Sequence, residues 1–296
     1  MTDREEAGLR GRVKNCIGEI ESVYPDRQRA VRTQHTFSAQ GNLLEQRHQN
    51  PDGSYWSIVC RYDERGRTVA KEQPKQRFSY LYDSLGRLER VLSNTDQGGE
   101  RVIESVQYAP DGTKTSTSYP PPLSDTQRRS TGVMLHASLD AVAIMTSFDS
   151  SDRPIRKVLY DADDRVIRRV AFRYAEDGLL LEEGELIGGS IREDFRNVYR
   201  YDDLGRRIEV AQRWGDFGGL RLTLSYNGSG DIVEKIIEQH TGILREDDDT
   251  GSHSWTERFT HHYDDLGNWI KRTTETISQA GEVRRSMIEQ RELTYY

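Results

Sequence analysis

Apolar and polar residues alternate with a period of two along most of this chain. Trp56, Ile58, Cys60 and Tyr62 share one face of a segment whose other face carries Tyr55, Ser57, Val59 and Arg61. The same alternation runs through Val102, Glu104, Val106, Tyr108 and through Leu220, Leu222, Leu224, Tyr226. Val166, Arg168, Val170, Phe172 and Tyr174 are backed by Ile167, Arg169, Ala171 and Arg173. Period two with β-branched and aromatic residues predicts half-buried antiparallel strands. The strongest helix candidate is Gly132 to Ser147, but its apolar residues hold no clean helical period. Ala141-Val142-Ala143-Ile144-Met145 reads equally well as a strand.

The strands end on a recurring signal: an aromatic residue, usually Asp next, two variable residues, then Gly or Asp. It starts at Phe37, Tyr62, Tyr82, Tyr108, Phe148, Tyr160, Tyr174, Tyr201, Tyr226 and Tyr263. The fullest copies are Tyr62-Asp63 to Gly66, Tyr82-Asp83 to Gly86, Tyr201-Asp202 to Gly205 and Tyr263-Asp264 to Gly267. The Asp accepts hydrogen bonds from backbone N–H groups just downstream. The Gly takes the left-handed conformation that closes a type I turn into a hairpin. Asp152 and Asp164 replace it in two copies, and Asp tolerates that conformation better than most residues. The aromatic closes an apolar stripe, with its ring packed and a tyrosine hydroxyl free to reach water or backbone.

Copies 12–14 residues apart fit one strand and a turn, and copies about 25 apart fit two strands with a less regular second turn. The pattern predicts one all-β domain over residues 1–296, a long antiparallel hairpin meander forming a single elongated or curled sheet. Its connections are local, so contact order is low for a β protein. Two intervals break the rhythm. Residues 113–131, with Tyr119-Pro120-Pro121-Pro122, predict a surface excursion, and residues 246–255, opening on Glu246-Asp247-Asp248-Asp249, an acidic loop.

The repeated core, as in Tyr62 to Arg67, Tyr82 to Arg87 and Tyr201 to Arg206, resembles the YD repeat of the Rhs family, and the resemblance covers roughly residues 37–296. Large members wind a β-sheet into a hollow shell that encloses a toxin domain, or form the barrel of teneurin-like surface proteins. The resemblance therefore implies a β-sheet protein. The Asp-Pro-x-Gly core of the large members is absent here, so no residue is carried over for their self-cleavage. The chain looks too short to close such a shell and is most similar in form to short, free-standing bacterial YD-repeat proteins. Gly8 to Lys14 and Leu293 to Tyr296 look like the first and last strands of that type.

Composition narrows the function. Net charge is −7, with no basic field of the kind a nucleic-acid binder shows. Mean hydropathy is −0.82 and no apolar run is long enough for a membrane helix, so membrane insertion is not expected. The charged start, Met1 to Glu6, has no secretory h-region; the expectation is cytoplasmic for the chain as written and exported if it is a mature fragment, so localisation stays open. Cys16 and Cys60 read as small packed hydrophobes, with a disulfide an alternative in an exported protein.

His261-His262 with Asp264-Asp265 collects metal-ligand types, but adjacent strand residues point to opposite faces. Asp247-Asp248-Asp249 lacks the bidentate Glu of a calcium loop, because Arg258 stands at the twelfth position. No cofactor, metal site or catalytic constellation is expected. Trp214, Phe217 and Trp255 fall at expected turn tips and are the candidates for contact with a partner. The expected function is a non-enzymatic binding or scaffold protein making extended contact with a protein, peptide or envelope glycan. The alternative is a component of a toxin system, as a shell remnant or toxin-masking partner. Two free end strands would also invite self-association.

Overall fold

The computed structural model describes residues 2–24, 31–50, 52–95, 99–120, 141–187, 189–215, 218–241 and 252–296. A short helix, α1 (Asp3–Glu6), precedes β1 (Val13–Tyr24), β2 (Val31–Phe37), β3 (Leu43–Gln49), β4 (Tyr55–Tyr62) and β5 (Thr68–Gln73). Next come β6 (Gln76–Tyr82), β7 (Leu88–Thr95), β8 (Gly99–Tyr108), β9 (Lys114–Ser118) and β10 (Ala143–Phe148). Then follow β11 (Pro154–Tyr160), β12 (Val166–Tyr174), β13 (Leu180–Ile187), β14 (Ser190–Tyr201) and β15 (Arg207–Arg213). The last five are β16 (Gly218–Tyr226), β17 (Ile232–Thr241), β18 (Ser252–Tyr263), β19 (Trp269–Ser278) and β20 (Val283–Tyr295).

Each strand pairs antiparallel with its sequence neighbours, and β20 pairs with β1 from Val13↔Tyr295 to Tyr24↔Ser286. The sheet is a closed, 20-stranded up-and-down barrel. The antiparallel meander is as expected, but the sheet is neither open nor merely curled. The chain is long enough to close because each strand needs only a handful of residues. At the usual spacing of about 4.8 Å and a tilt of about 40°, twenty strands close at a backbone radius of roughly 20 Å. The expected free edges are therefore paired with each other.

All ten aromatic turns form as hairpins, each closed by paired backbone bonds such as Asp63 N–H to the Arg67 carbonyl (2.9 Å) and Gly66 N–H to the Asp63 carbonyl (2.9 Å). At nine of them the register slips by one residue at the aromatic; at Tyr108 it does not. That slip is the bulge that the left-handed residue creates. Strands alternate in direction, so the turns after β2, β4, β6, β8, β10, β12, β14, β16 and β18 lie on one rim. The Tyr160 turn, between β11 and β12, lies on the other.

The chain's ends fill the tenth place on the aromatic rim. Arg4 N–H donates to the Gly41 carbonyl (3.0 Å) and Leu43 N–H to Asp3 Oδ2 (2.6 Å). Arg10 N–H donates to Asn268 Oδ1 (2.5 Å), whose Nδ2 donates to the Arg10 carbonyl (3.0 Å). Tyr296 OH donates to the Phe37 carbonyl (2.5 Å). Beneath them Leu9, Val13, Cys16 and Phe37 form a buried apolar plug.

Elsewhere the wall is one layer thick. The surface is 18956 Å², against roughly 12,800 Å² for a compact protein of 34.1 kDa. One face carries cross-strand ion pairs that share a carboxylate: Arg61–Glu72–Arg77, Arg173–Glu182–Arg196 and Arg200–Glu209–Arg221.

Several local expectations change. Gly8 to Lys14 is mostly the link from α1, and β1 starts only at Val13. The excursion expected from residue 113 begins instead with β9, laddered to both β8 and β10; residues 121–131 lie outside the described residues. Residues 143–147 of the helix candidate are strand, and its residues 132–140 lie outside the described part. Of the acidic interval, 252–255 belong to β18 and 246–251 lie outside the described residues.

Candidate binding cleft and the turn ring

The turn residues singled out from sequence occupy equivalent places. Asp63 Oδ1 accepts from Arg65 N–H (3.0 Å) and Arg67 N–H (2.9 Å), while Oδ2 takes the Arg67 guanidinium. Asp83 and Asp202 repeat this with Arg87 and Arg206. Asp264 holds Leu266 N–H and Asn268 N–H in the same way. Gly66, Gly86, Gly205 and Gly267 all have φ between 72° and 80°. These bonds hold the carboxyls of Asp63 and Asp83 below the ordinary range, the backbone N–H groups of Arg67 and Arg87 being the main cause.

Sequence did not show where the tyrosines point. Along the aromatic rim, six hydroxyls reach the turn before them on that rim, each donating to the carbonyl six residues after that turn's aromatic. Tyr62 reaches the Leu43 carbonyl (2.8 Å), Tyr82 that of Thr68 (2.7 Å), Tyr201 that of Leu180 (2.8 Å) and Tyr226 that of Arg207 (2.6 Å). The Arg that closes one turn lies over the next ring, Arg67 4.3 Å from Tyr82 and Arg87 4.1 Å from Tyr108. Tyr263 departs, donating to Asp231 Oδ2 (2.8 Å). The spacing of Tyr, Gly and Arg was visible in the sequence; the hairpin-to-hairpin clasp was not.

The other feature of the wall is an open cleft of about 300 Å³ over β11–β15. Its floor is a row of directly paired residues, Phe172↔Glu183↔Asn197↔Gln212. Glu183 Oε1 accepts from Asn197 Nδ2 (2.9 Å) and Tyr199 OH (2.7 Å). Burial first, and this carboxylate second, push the Tyr199 hydroxyl well above its usual range. Lys157 lies over the Phe172 ring (5.9 Å) and Arg168 over Phe195 (5.8 Å). Trp214 and Arg213 complete one end. Gly184 is required beneath: a Cβ there would stand 2.5 Å from the Phe195 carbonyl.

Of the three expected contact residues, Trp214 lines this cleft. Trp255 does not sit at a tip; it lies in β18, paired with Ile237 and Ser278. Its strand starts earlier than the polar text suggested. Phe217 lies outside the described residues. The cleft's other members were hidden because Phe172, Glu183 and Asn197 come together only through strand register.

His261 packs against Tyr263 and Trp269, and His262 is exposed. Burial holds the His261 ring below its ordinary pKa. Cys16 and Cys60 are both free thiols, pushed up by burial.

A family model described as an uncharacterised protein matches residues 144–247. No curated protein matches the chain. Among solved structures, the chain is similar to a TcdB2-TccC3-Cdc42 crystal structure, at 13% identity over 89% of this chain and 16% of that one, with TM-score 0.40. A porin-like protein from Bacteroides uniformis aligns over 95% of this chain and 96% of that one, at 11% identity and TM-score 0.38. The Photorhabdus luminescens Tc holotoxin pore aligns over 94% of this chain and 18% of that one, at 13% identity and TM-score 0.25. The chain thus spans less than a fifth of the two toxin chains it resembles.

Proposed function

We propose that this protein is a non-enzymatic β-barrel that works by contact between its wall and an extended macromolecule. The observation that carries this reading is the single-layer wall, with its 18956 Å² of surface and a side-chain cleft set into it. The residue types that catalysis commonly uses are engaged elsewhere. Turn Asp and Gly residues close hairpins, and Glu183 is tied to Asn197 and Tyr199. A nucleophilic thiol needs a lowered pKa, and burial moves both thiols the other way.

Membrane insertion is disfavoured on different grounds from those in the sequence, because closed barrels do span bilayers. A lipid-facing wall needs a continuous apolar band. Here one face carries the Arg–Glu pairs, and the other carries Lys157, Arg168, Glu183, Lys235 and Glu257.

A second reading, a shell-like component of a toxin system, is favoured by closure of the wall together with the YD-repeat resemblance. A toxin or secretion component encoded beside this protein would support it. The enzyme question is tested by a hydrolase and lyase screen. Turnover that vanishes in one point variant with its fold intact would refute the proposal.

A further inference from the structure

We infer that the cleft over β11–β15 is a binding site for an acidic saccharide, a sugar unit bearing a carboxylate. This rests on the reading of the protein as a binding barrel and names what its cleft takes. Three observations converge. First, the cleft is cationic in an acidic molecule. Lys157 has no carboxylate within ion-pair distance among the described residues, and Arg168, on the same face, keeps only a long contact, 3.8 Å, with Glu185. The one carboxylate in the floor, Glu183, already accepts two hydrogen bonds. An incoming carboxylate therefore meets Lys157 and the loosely held Arg168.

Second, half-buried aromatic rings, Phe172, Phe195 and Trp214, flank paired amides, Asn197 directly opposite Gln212. Each amide offers donors and an acceptor, the combination that vicinal hydroxyls satisfy, while the rings supply flat apolar contact. Third, the floor is laddered: Glu183, Asn197 and Gln212 are each paired on both sides, so at the floor no backbone edge is open for strand addition. Recognition must come from side chains, which favours a hydroxyl-rich ligand over a peptide.

The test is calorimetric titration of the full chain with oligogalacturonate, its methyl ester and an acidic peptide containing Phe. The ester keeps the sugar shape and removes the charge. Saturable binding of oligogalacturonate is expected, at least tenfold weaker for the ester. Lys157→Met should weaken it several-fold and Trp214→Ala more, with melting temperatures of both variants within a few degrees of the parent. Absence of oligogalacturonate binding, or equal binding of the ester, overturns the inference. Peptide binding alone, lost in Trp214→Ala, also overturns it but leaves the binding-barrel reading standing. Catalytic turnover would instead strike that parent reading.

Discussion

Asp63, Asp83, Asp149 and Asp202 each hold two backbone N–H groups and one guanidinium, so the charged form of the turn Asp belongs to the folded state. The carboxyls of Asp63 and Asp83 are lowered chiefly by backbone N–H groups. That of Asp149 is lowered chiefly by the Arg153 side chain. A folded pKa below the unfolded one stabilises above the unfolded value, near 4, and that stability is lost as pH falls through the folded value. Calorimetric melting temperature should therefore be flat from pH 7 to 5 and drop below pH 4. The triple variant Asp63→Asn, Asp83→Asn, Asp149→Asn should melt lower at pH 7 and show a shallower acid drop. A second residue prediction concerns Asp164, whose φ is 59°. An L-residue pays roughly 1 kcal/mol for that conformation and Gly does not, although Gly gives back part through unfolded-state entropy. Asp164→Gly should leave stability equal or raise it slightly in urea melts, whereas Gly66→Ala, at φ 77°, should lower it.

The hairpin was legible because its determinants are local: an Asp that bonds its own turn and a Gly that closes it. What joins hairpin to hairpin was not, because Tyr82 finds its acceptor, Thr68, on the preceding hairpin. Tyr82→Phe keeps the ring under Arg67 and removes only the hydroxyl. It should cost about 1 kcal/mol in denaturant unfolding, the scale of one buried hydrogen bond. No loss would mean that the ring alone, not the clasp, orders the rim. Strand limits were least legible where polar residues occupy ladder positions. Lys114-Thr115-Ser116-Thr117-Ser118 looks like a loop, yet Ser116 is buried and donates to Glu104 (2.6 Å). The cleft was equally hidden: Trp214 stood out as an aromatic near glycines, but its neighbours are set by cross-strand register, which alternation alone does not fix.

Closure belongs to the whole molecule, and no local pattern encodes it. A meander whose every turn is legible can end as an open ribbon or a ring, and the difference lies in whether β20 meets β1. The seam residues settle it. Asn268 is 1% exposed and ties Arg10, Asp264 and Tyr295 together, while Tyr296 reaches Phe37. Burial first, and then the Asp264 carboxylate, raise the Tyr295 hydroxyl to about 12. The folded pKa lies above the unfolded one, so this contribution is intact below about pH 10 and lost as pH rises through about 12. Closure also changes the expectation for self-association, which rested on free edges. With β20 paired to β1, neither end strand is left as a free edge among the described residues, and the intact chain should sediment as a monomer at high micromolar concentration. Deleting residues 283–296 removes β20 and leaves β1 without one partner and β19 without another. The deletion also removes Tyr295 and Tyr296 from the seam, but it is the two unpaired edges that template pairing with other copies. The truncated chain should form concentration-dependent oligomers while keeping β-type circular dichroism. An intact chain that dimerises as readily as the truncated one would show that association runs through the barrel wall instead of its edges.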